Sequence, residues 1–266
     1  MNAGVIFFRI VMYLKYITMS QNRKGHGIHS PFVFDLVSRV FGNKTDVSVV
    51  CNIERARKEL KNDKRSIDVN DLGSGSDAGT HKRKKVADIA RHSAVPERYG
   101  VLLANMAASF GSPLVIEFGT SFGISTMYLA SAAGETPVLT MEGCRETAEI
   151  AAGNFKNGGY GNIRLSVGSF EDSLPEILDM GIIPGLIFID GNHRKDAVLD
   201  YFEKLVEISG NDTVIILDDI NYSREMAEAW KMIRLHEKVT ITVDIFRMGI
   251  VFFRKGAGKA GYMIRY

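Results

Sequence analysis

Cysteine is scarce in this chain: 266 residues contain only Cys51 and Cys144. The two are far apart and match neither a metal-ligand nor a redox spacing. A disulfide framework is therefore not expected, and a reducing compartment, the cytoplasm, is. A strong net charge is missing too. Lys and Arg number 33 against 31 Asp and Glu, and a balance of +2 gives no reason to expect nucleic acid as a partner. The basic run Lys82 to Lys85 reads as a solvated turn. No apolar run approaches the roughly 20 residues of a membrane-spanning helix. The N-terminal apolar stretch is broken by Arg9 and Lys15, and no clear small-residue cleavage site follows it, so no secretory leader is expected. This stretch reads as an amphipathic helix docked on the protein or on a second subunit, a homodimer contact, with peripheral membrane contact as the alternative.

What is present is ordinary in bulk: 45% hydrophobic and 24% charged residues suit a globular protein with one large domain, or a core with an appendage. Residues 1–110 read as a helical appendage. Ser30-Pro31 is a helix start, because Ser can cap and Pro tolerates the first helical position. Phe32, Leu36, Val37, Val40 and Phe41 form its apolar stripe, and Gly42-Asn43 ends it. Residues 43–85 hold many charges and turn formers and read as irregular. A helical pattern resumes over 86–110 with a break at Pro96. His26 and His29 flank Gly27-Ile28 in a loop that is either plain surface or part of a lid. Asp71-Leu-Gly-Ser-Gly-Ser76 looks like a nucleotide loop, but no solid apolar strand precedes it and no helix opens at its glycines. It reads as a turn.

From Pro113 the pattern changes, and residues 111–266 read as a second domain. Strand-like segments cover 113–117, 138–142, 162–167, 185–190, 213–218, 239–245 and 249–254, with helical patterns in the first five gaps. Such alternation predicts a parallel sheet with helices on both faces. The last two strands are separated by only a few residues, too few for a parallel crossover, so they form an antiparallel hairpin.

The first of these strands is the most informative. Leu114-Val-Ile116 leads to an acid, Glu117, then to a loop carrying Gly119, Thr120, Ser121 and Gly123, and a helix opens directly after it. A helix N-terminus behind a glycine loop lets backbone approach a ligand closely. An acid before the loop would repel a phosphate and suits an ammonium or sulfonium group, which disfavours an NAD-dependent enzyme. The second strand also ends in an acid, Glu142, 19 residues beyond Gly123. That distance suits a carboxylate accepting hydrogen bonds from ribose hydroxyls.

Five parallel strands followed by a hairpin resemble the class I S-adenosylmethionine-dependent methyltransferases. The resemblance covers residues 113–254 and rests on Ile116-Glu-Phe-Gly-Thr-Ser-Phe-Gly123, Met141-Glu142, Gly168-Ser-Phe170, Phe188-Ile-Asp-Gly-Asn-His193 and Ile216-Leu-Asp-Asp-Ile220. The last two are similar to metal-dependent O-methyltransferases of the catechol and macrocin types. Gly25-His-Gly-Ile-His-Ser-Pro-Phe32 and Gly249-Ile-Val-Phe-Phe253 resemble an uncharacterised bacterial branch, which implies no substrate. The resemblance implies a Rossmann-like α/β sheet with an N-terminal helical appendage and S-adenosylmethionine as cofactor. Glu117, Gly119, Thr120, Ser121 and Gly123 would surround its methionine part and Glu142 would hold the ribose. Gly168, Ser169 and Phe170 would border the adenine, with Asp190 also near the cofactor. Ser169 to Asp172 equally reads as a capping box.

Asp190, Asp218 and Asp219 end neighbouring strands in this fold. Three carboxylates so placed would suit Mg²⁺, Mn²⁺ or Ca²⁺ gripping an acceptor hydroxyl. The alternative is that Asp219 caps the next helix and Asp190 touches only the cofactor. Macrocin-type enzymes carry an acid where this chain has Asn192, which cannot take a proton, so His193 is the substitute base. No Asp/Asn-Pro-Pro-aromatic motif and no Pro-Cys nucleophile is present, which speaks against amino-methylating DNA enzymes and cytosine C5 chemistry. The expected activity is O-methylation of a small molecule; the rival is a non-catalytic cofactor-binding or protein-interaction module.

Overall fold

The computed structural model describes residues 3–21, 28–69 and 82–266. His26 and the loop Asp71 to Ser76 lie outside the described residues. In chain order come α1 (Ala3–Met19), α2 (Pro31–Asp35, continued by a π-helical turn Leu36–Val40), α3 (Val47–Asn62), β1 (Ser66–Val69) and β2 (Lys82–Lys85). Next are α4 (Val86–Ser93), α5 (Glu97–Phe110), β3 (Val115–Phe118), α6 (Ile124–Ala132), β4 (Val138–Glu142) and α7 (Arg145–Gly158). Then follow β5 (Ile163–Val167), α8 (Phe170–Asp179), β6 (Leu186–Ile189), α9 (Lys195–Glu207) and β7 (Val214–Leu217). The chain closes with α10 (Arg224–Leu235), β8 (Ile241–Asp244), β9 (Gly249–Phe252) and β10 (Ala260–Met263).

The eight-stranded sheet runs in the order β10-β8-β9-β7-β6-β3-β4-β5. The expected Rossmann-like architecture is present: β3, β4 and β5 pair in parallel, helices fill all five expected gaps, and β9 is antiparallel to both β7 and β8. Every residue of β3, β6, β7 and β9 is buried, which is why, apart from Glu117 in β3, these strands read as short apolar runs. No described helix is long and apolar enough to cross a membrane.

The chain packs as two compact units, residues 43–186 and residues 1–42 with 187–266. This cut differs from the one at 110/111, which separates a helical leader from alternating strands and helices. In the first unit, the charged stretch read as irregular contains α3, whose Ile53, Arg57 and Leu60 face inward at spacings of four and three. The polar half of that stripe hid it: Arg57 is buried because its guanidinium pairs with Glu54 at 2.8 Å. Lys82 to Lys85 is not a turn. It is strand β2, antiparallel to β1 with Ser66 opposite Lys85, and all four of its residues are exposed.

In the second unit, the unforeseen β10 pairs in parallel with β8. It draws the C-terminus against α1: the Tyr16 hydroxyl donates to the Ile264 carbonyl at 2.6 Å and accepts from the Tyr266 amide at 2.8 Å. Tyr16 is 4% exposed. Tyr16→Phe keeps the ring but strands two backbone groups, so it should lower stability by about 1–3 kcal/mol. Urea unfolding checks this, and an unchanged midpoint would discard the link.

Candidate active site

The glycine-loop half lies in the 43–186 unit. Glu117, the penultimate residue of β3, is fully buried, and its register partner on β4 is Thr140. Thr140 and Thr126 both donate to Oε2, at 2.6 and 2.5 Å, leaving Oε1 with no hydrogen-bond partner among the described residues. Burial raises the carboxyl to about 7 against the opposing hydroxyls of Ser125, Thr126 and Thr140. Glu117 is thus a carboxyl poised between charged and neutral near pH 7.

Beyond it the chain turns sharply. Gly119, Ser121 and Gly123 all have positive φ, at 98°, 48° and 82°, and the Gly119 and Thr120 amides donate to the Met141 carbonyl. A Cβ on Gly123 would lie 2.3 Å from the Phe155 ring, so glycine is required for conformation and space alike. The Glu142 carboxylate receives the Ser121 amide on Oε2 at 2.8 Å and the Cys144 amide on Oε1 at 2.9 Å. The Gly168 amide donates to the Glu142 carbonyl, tying the end of β5 to that of β4. Ser169 caps α8, accepting from the Asp172 amide at 3.1 Å. Phe170 stands edge-on to Phe118 with centroids 5.4 Å apart. All the cofactor residues expected in this unit therefore gather at the carboxyl ends of β3, β4 and β5. Thr126 and Thr140 escaped sequence reading; only the strand register sets Thr140 opposite Glu117.

The acidic half lies in the other unit. The Asp218 amide donates to the Ile189 carbonyl at 2.9 Å, which holds the ends of β6 and β7, and hence Asp190 and Asp218, together. Asp218 is 1% exposed and is gripped by Arg247: Nε to Oδ1 at 2.9 Å, Nε to Oδ2 at 3.1 Å and Nη2 to Oδ2 at 2.5 Å. Asp219, in a left-handed conformation at φ 52°, has Oδ1 3.7 Å from the same Nη2. Burial and the neighbouring Asp219 push the Asp218 pKa up, while Arg247 opposes them. Burial disfavours the Arg247 cation, yet Asp218, Asp219 and Asp190 outweigh it and hold its pKa above the ordinary value. Asp190 Oδ1 lies 3.9 Å from His193 Nε2, and the His193 ring leans on Tyr222 with centroids 5.9 Å apart. Asn192 also has positive φ, and its buried Oδ1 has no hydrogen-bond partner among the described residues.

Two expectations change here. Ser223, not Asp219, caps α10, accepting from the Met226 amide. Among the described residues, no group of three or more His, Cys, Asp or Glu side chains is arranged to hold a metal ion. Arg247 was unforeseen, having been read only as part of a hairpin link. The pairing of β9 with β7, with Leu217 opposite Gly249, is what brings that link to Asp218.

Comparison with known proteins agrees with this geometry. A family described as a methyltransferase domain matches residues 116–220. The catechol O-methyltransferase of Mycobacterium tuberculosis is 30% identical over 129 residues, which is 48% of this chain and 57% of that protein. The chain spans about half the length of the curated relatives it matches. The solved O-methyltransferase TomG of Streptomyces achromogenes, involved in tomaymycin synthesis and in complex with S-adenosylmethionine, superposes with a TM-score of 0.56. It is 20% identical, over 79% of this chain and 91% of that one. The O-methyltransferase of Bacillus cereus in complex with S-adenosylhomocysteine gives 0.55 at 20% identity, over 83% and 97%. At these identities the structural likeness is one of fold.

Two predictions follow from the loop. Gly123→Ala should cost about 1–3 kcal/mol through strain and overlap with Phe155, read as a lower unfolding midpoint. For Glu117, the native carboxyl binds its proton more tightly than the unfolded one, whose value is near 4.5. Its stabilising contribution is full below 4.5 and is lost as pH rises to about 7. Glu117→Gln, which cannot ionise, should gain on the parent by up to about 3 kcal/mol across that window. Unfolding at pH 4.5 and 8 measures it, and a gap that does not widen with pH sinks the assignment.

Proposed function

We propose that the chain is a class I S-adenosylmethionine-dependent methyltransferase that moves a methyl group from S-adenosylmethionine to a hydroxyl oxygen of a small molecule, a reading supported by the methyltransferase-domain match and the O-methyltransferase relatives. The observation that carries this is Glu142. Each of its oxygens accepts one backbone amide, at the end of the strand beside the glycine loop. A carboxylate so fixed is preorganised to accept ribose hydroxyls. Glu117 Oε1, buried and without a hydrogen-bond partner among the described residues, supports the adjoining place as one that receives a donor. Phe170, half-buried above the cap of α8, offers a ring to a purine. The residues present therefore fit S-adenosylmethionine, which when bound supplies an electrophilic sulfonium methyl.

Displacement at that carbon needs an aligned oxygen and a place for its proton. His193 Nε2 is the group we assign to the proton. Asp190, with Oδ1 3.9 Å from that nitrogen, would favour the positive charge that forms there. The similarity to a protein named catechol O-methyltransferase supports a small-molecule hydroxyl as the acceptor. The divalent metal does not fit as well as the cofactor does, because both oxygens of Asp218 are already taken by Arg247.

Titration with S-adenosylhomocysteine tests the cofactor site. Glu142→Ala should weaken binding roughly tenfold to hundredfold. Because Glu142 also anchors the Ser121 amide, melting of the variant must be followed in parallel. Unchanged affinity removes Glu142 from the site. A screen of hydroxylated acceptors with labelled cofactor separates an enzyme from a binding module. His193→Gln should then lose turnover while S-adenosylhomocysteine affinity stays within about threefold.

We further propose that a second copy of the chain covers α1. Phe7, Ile10, Val11 and Leu14 lie on one helical face, are 45–68% exposed, and have no charged residue among them. Two such faces packed together approach the area of a small stable interface, about 1,000 Å². Anionic lipid is a poorer partner, because α1 carries only two cations and one of them, Arg9, sits over the Tyr222 ring. Light scattering should give a dimer mass that Phe7→Glu with Leu14→Glu halves. A monomeric parent protein, or one that binds anionic vesicles as a monomer, overturns this.

A further inference from the structure

We infer that Arg247 is the resident cation of the acidic strand ends, positioned where the metal-dependent enzymes that this chain resembles would put a divalent ion, and that the site works without one. The inference rests on the methyltransferase reading but concerns a different group. A carboxylate as buried as Asp218 must have a partner that stays charged and satisfies its lone pairs. Arg247 does both: its planar fork meets both oxygens, and its charge extends to Asp219 and Asp190. A Mg²⁺ or Mn²⁺ ion would need the same oxygens at about 2.0–2.2 Å with their lone pairs converging on one point. It would have to displace the guanidinium or sit beside it, and either arrangement leaves like charges a few ångströms apart. Position also favours Arg247. It is borne on the β8–β9 hairpin, whose Ile245 amide bonds the Met248 carbonyl and whose Arg247 carbonyl receives the Ile220 amide. The guanidinium is thus carried to Asp218 by a turn whose backbone is braced on the residue after Asp219.

Arg247 on this view is a positioning residue: it holds Asp218 and Asp219 in place and leaves Asp190 to face His193. The test uses the purified full-length protein and Mn²⁺ as probe, followed by calorimetry and by the electron paramagnetic resonance of the free ion. The parent should show no stoichiometric binding up to millimolar Mn²⁺. Arg247→Ala should uncover the three carboxylates and bind one Mn²⁺ at least tenfold more tightly than the parent. Adding Asp219→Asn should remove the gain. Arg247→Met, which keeps the bulk of the stem, provides the same comparison if the alanine variant does not fold. Stoichiometric binding by the parent in the micromolar range overturns the inference, and so does a folded Arg247 variant that binds no better than the parent. S-adenosylhomocysteine titration of the same samples reads the cofactor site independently, so failure of the methyltransferase reading would appear there and not in the Mn²⁺ signal.

Discussion

The Glu142 carboxylate is the point on which the cofactor half of the molecule depends. It sits at the end of β4 and takes the Ser121 amide from the loop after β3 and the Cys144 amide at the start of α7. One side chain therefore fixes the loop, the strand end and the entry to the next helix. Its own backbone carbonyl receives the Gly168 amide, so the end of β5 hangs from the same residue. Charge-assisted hydrogen bonds of this kind are roughly twice as strong as neutral ones. The consequence is a carboxylate that is held rigid at the strand end, because the loop beside it is also what fixes it.

Three strand-end acids look alike in sequence and differ in what surrounds them. Glu117 has two threonine hydroxyls and full burial, so its carboxyl is balanced near neutrality. Glu142 has two amides and partial exposure, and can remain an acceptor toward solvent and ligand. Asp218 has a bidentate arginine and no exposure to speak of, and is committed to an internal ion pair. The position at a strand's carboxyl end puts each acid on the ligand side of the sheet. Which of them can meet a ligand is then decided by donors that come from elsewhere in the chain.

This explains what could be read in the sequence. β3, β4, β6, β7 and the β8–β9 hairpin were legible because their largely covered positions form short, mostly apolar runs, and the turn formers between them are local. The glycine loop and Glu142 were legible for the same reason, since their spacing is set by one strand–helix–strand unit. α3 was hidden because its inward face includes Arg57, whose burial depends on Glu54 one turn away. β10 was hidden because Ala260, Gly261, Tyr262 and Met263 carry no periodic signal, and only the edge of β8 makes them a strand. Thr140 and Arg247 were hidden because each acts across a pairing, β3 with β4 and β7 with β9, that short-range patterns do not encode.

The same distinction bears on the chemistry. A cluster of aspartates at two neighbouring strand ends suggests a cation, and a carboxylate buried as deeply as Asp218 needs one as a partner. It did not specify where the cation comes from. A free ion brings two charges and open coordination positions, so it can bind an acceptor oxygen directly, but it must be recruited and held. A guanidinium brings one charge, already delivered by the hairpin, and spends its fork on Asp218. With one charge set against three acids, the acidic end keeps a negative surplus near His193. Such a surplus favours positive over negative charge beside it, which is what the proposed role of His193 as proton acceptor requires.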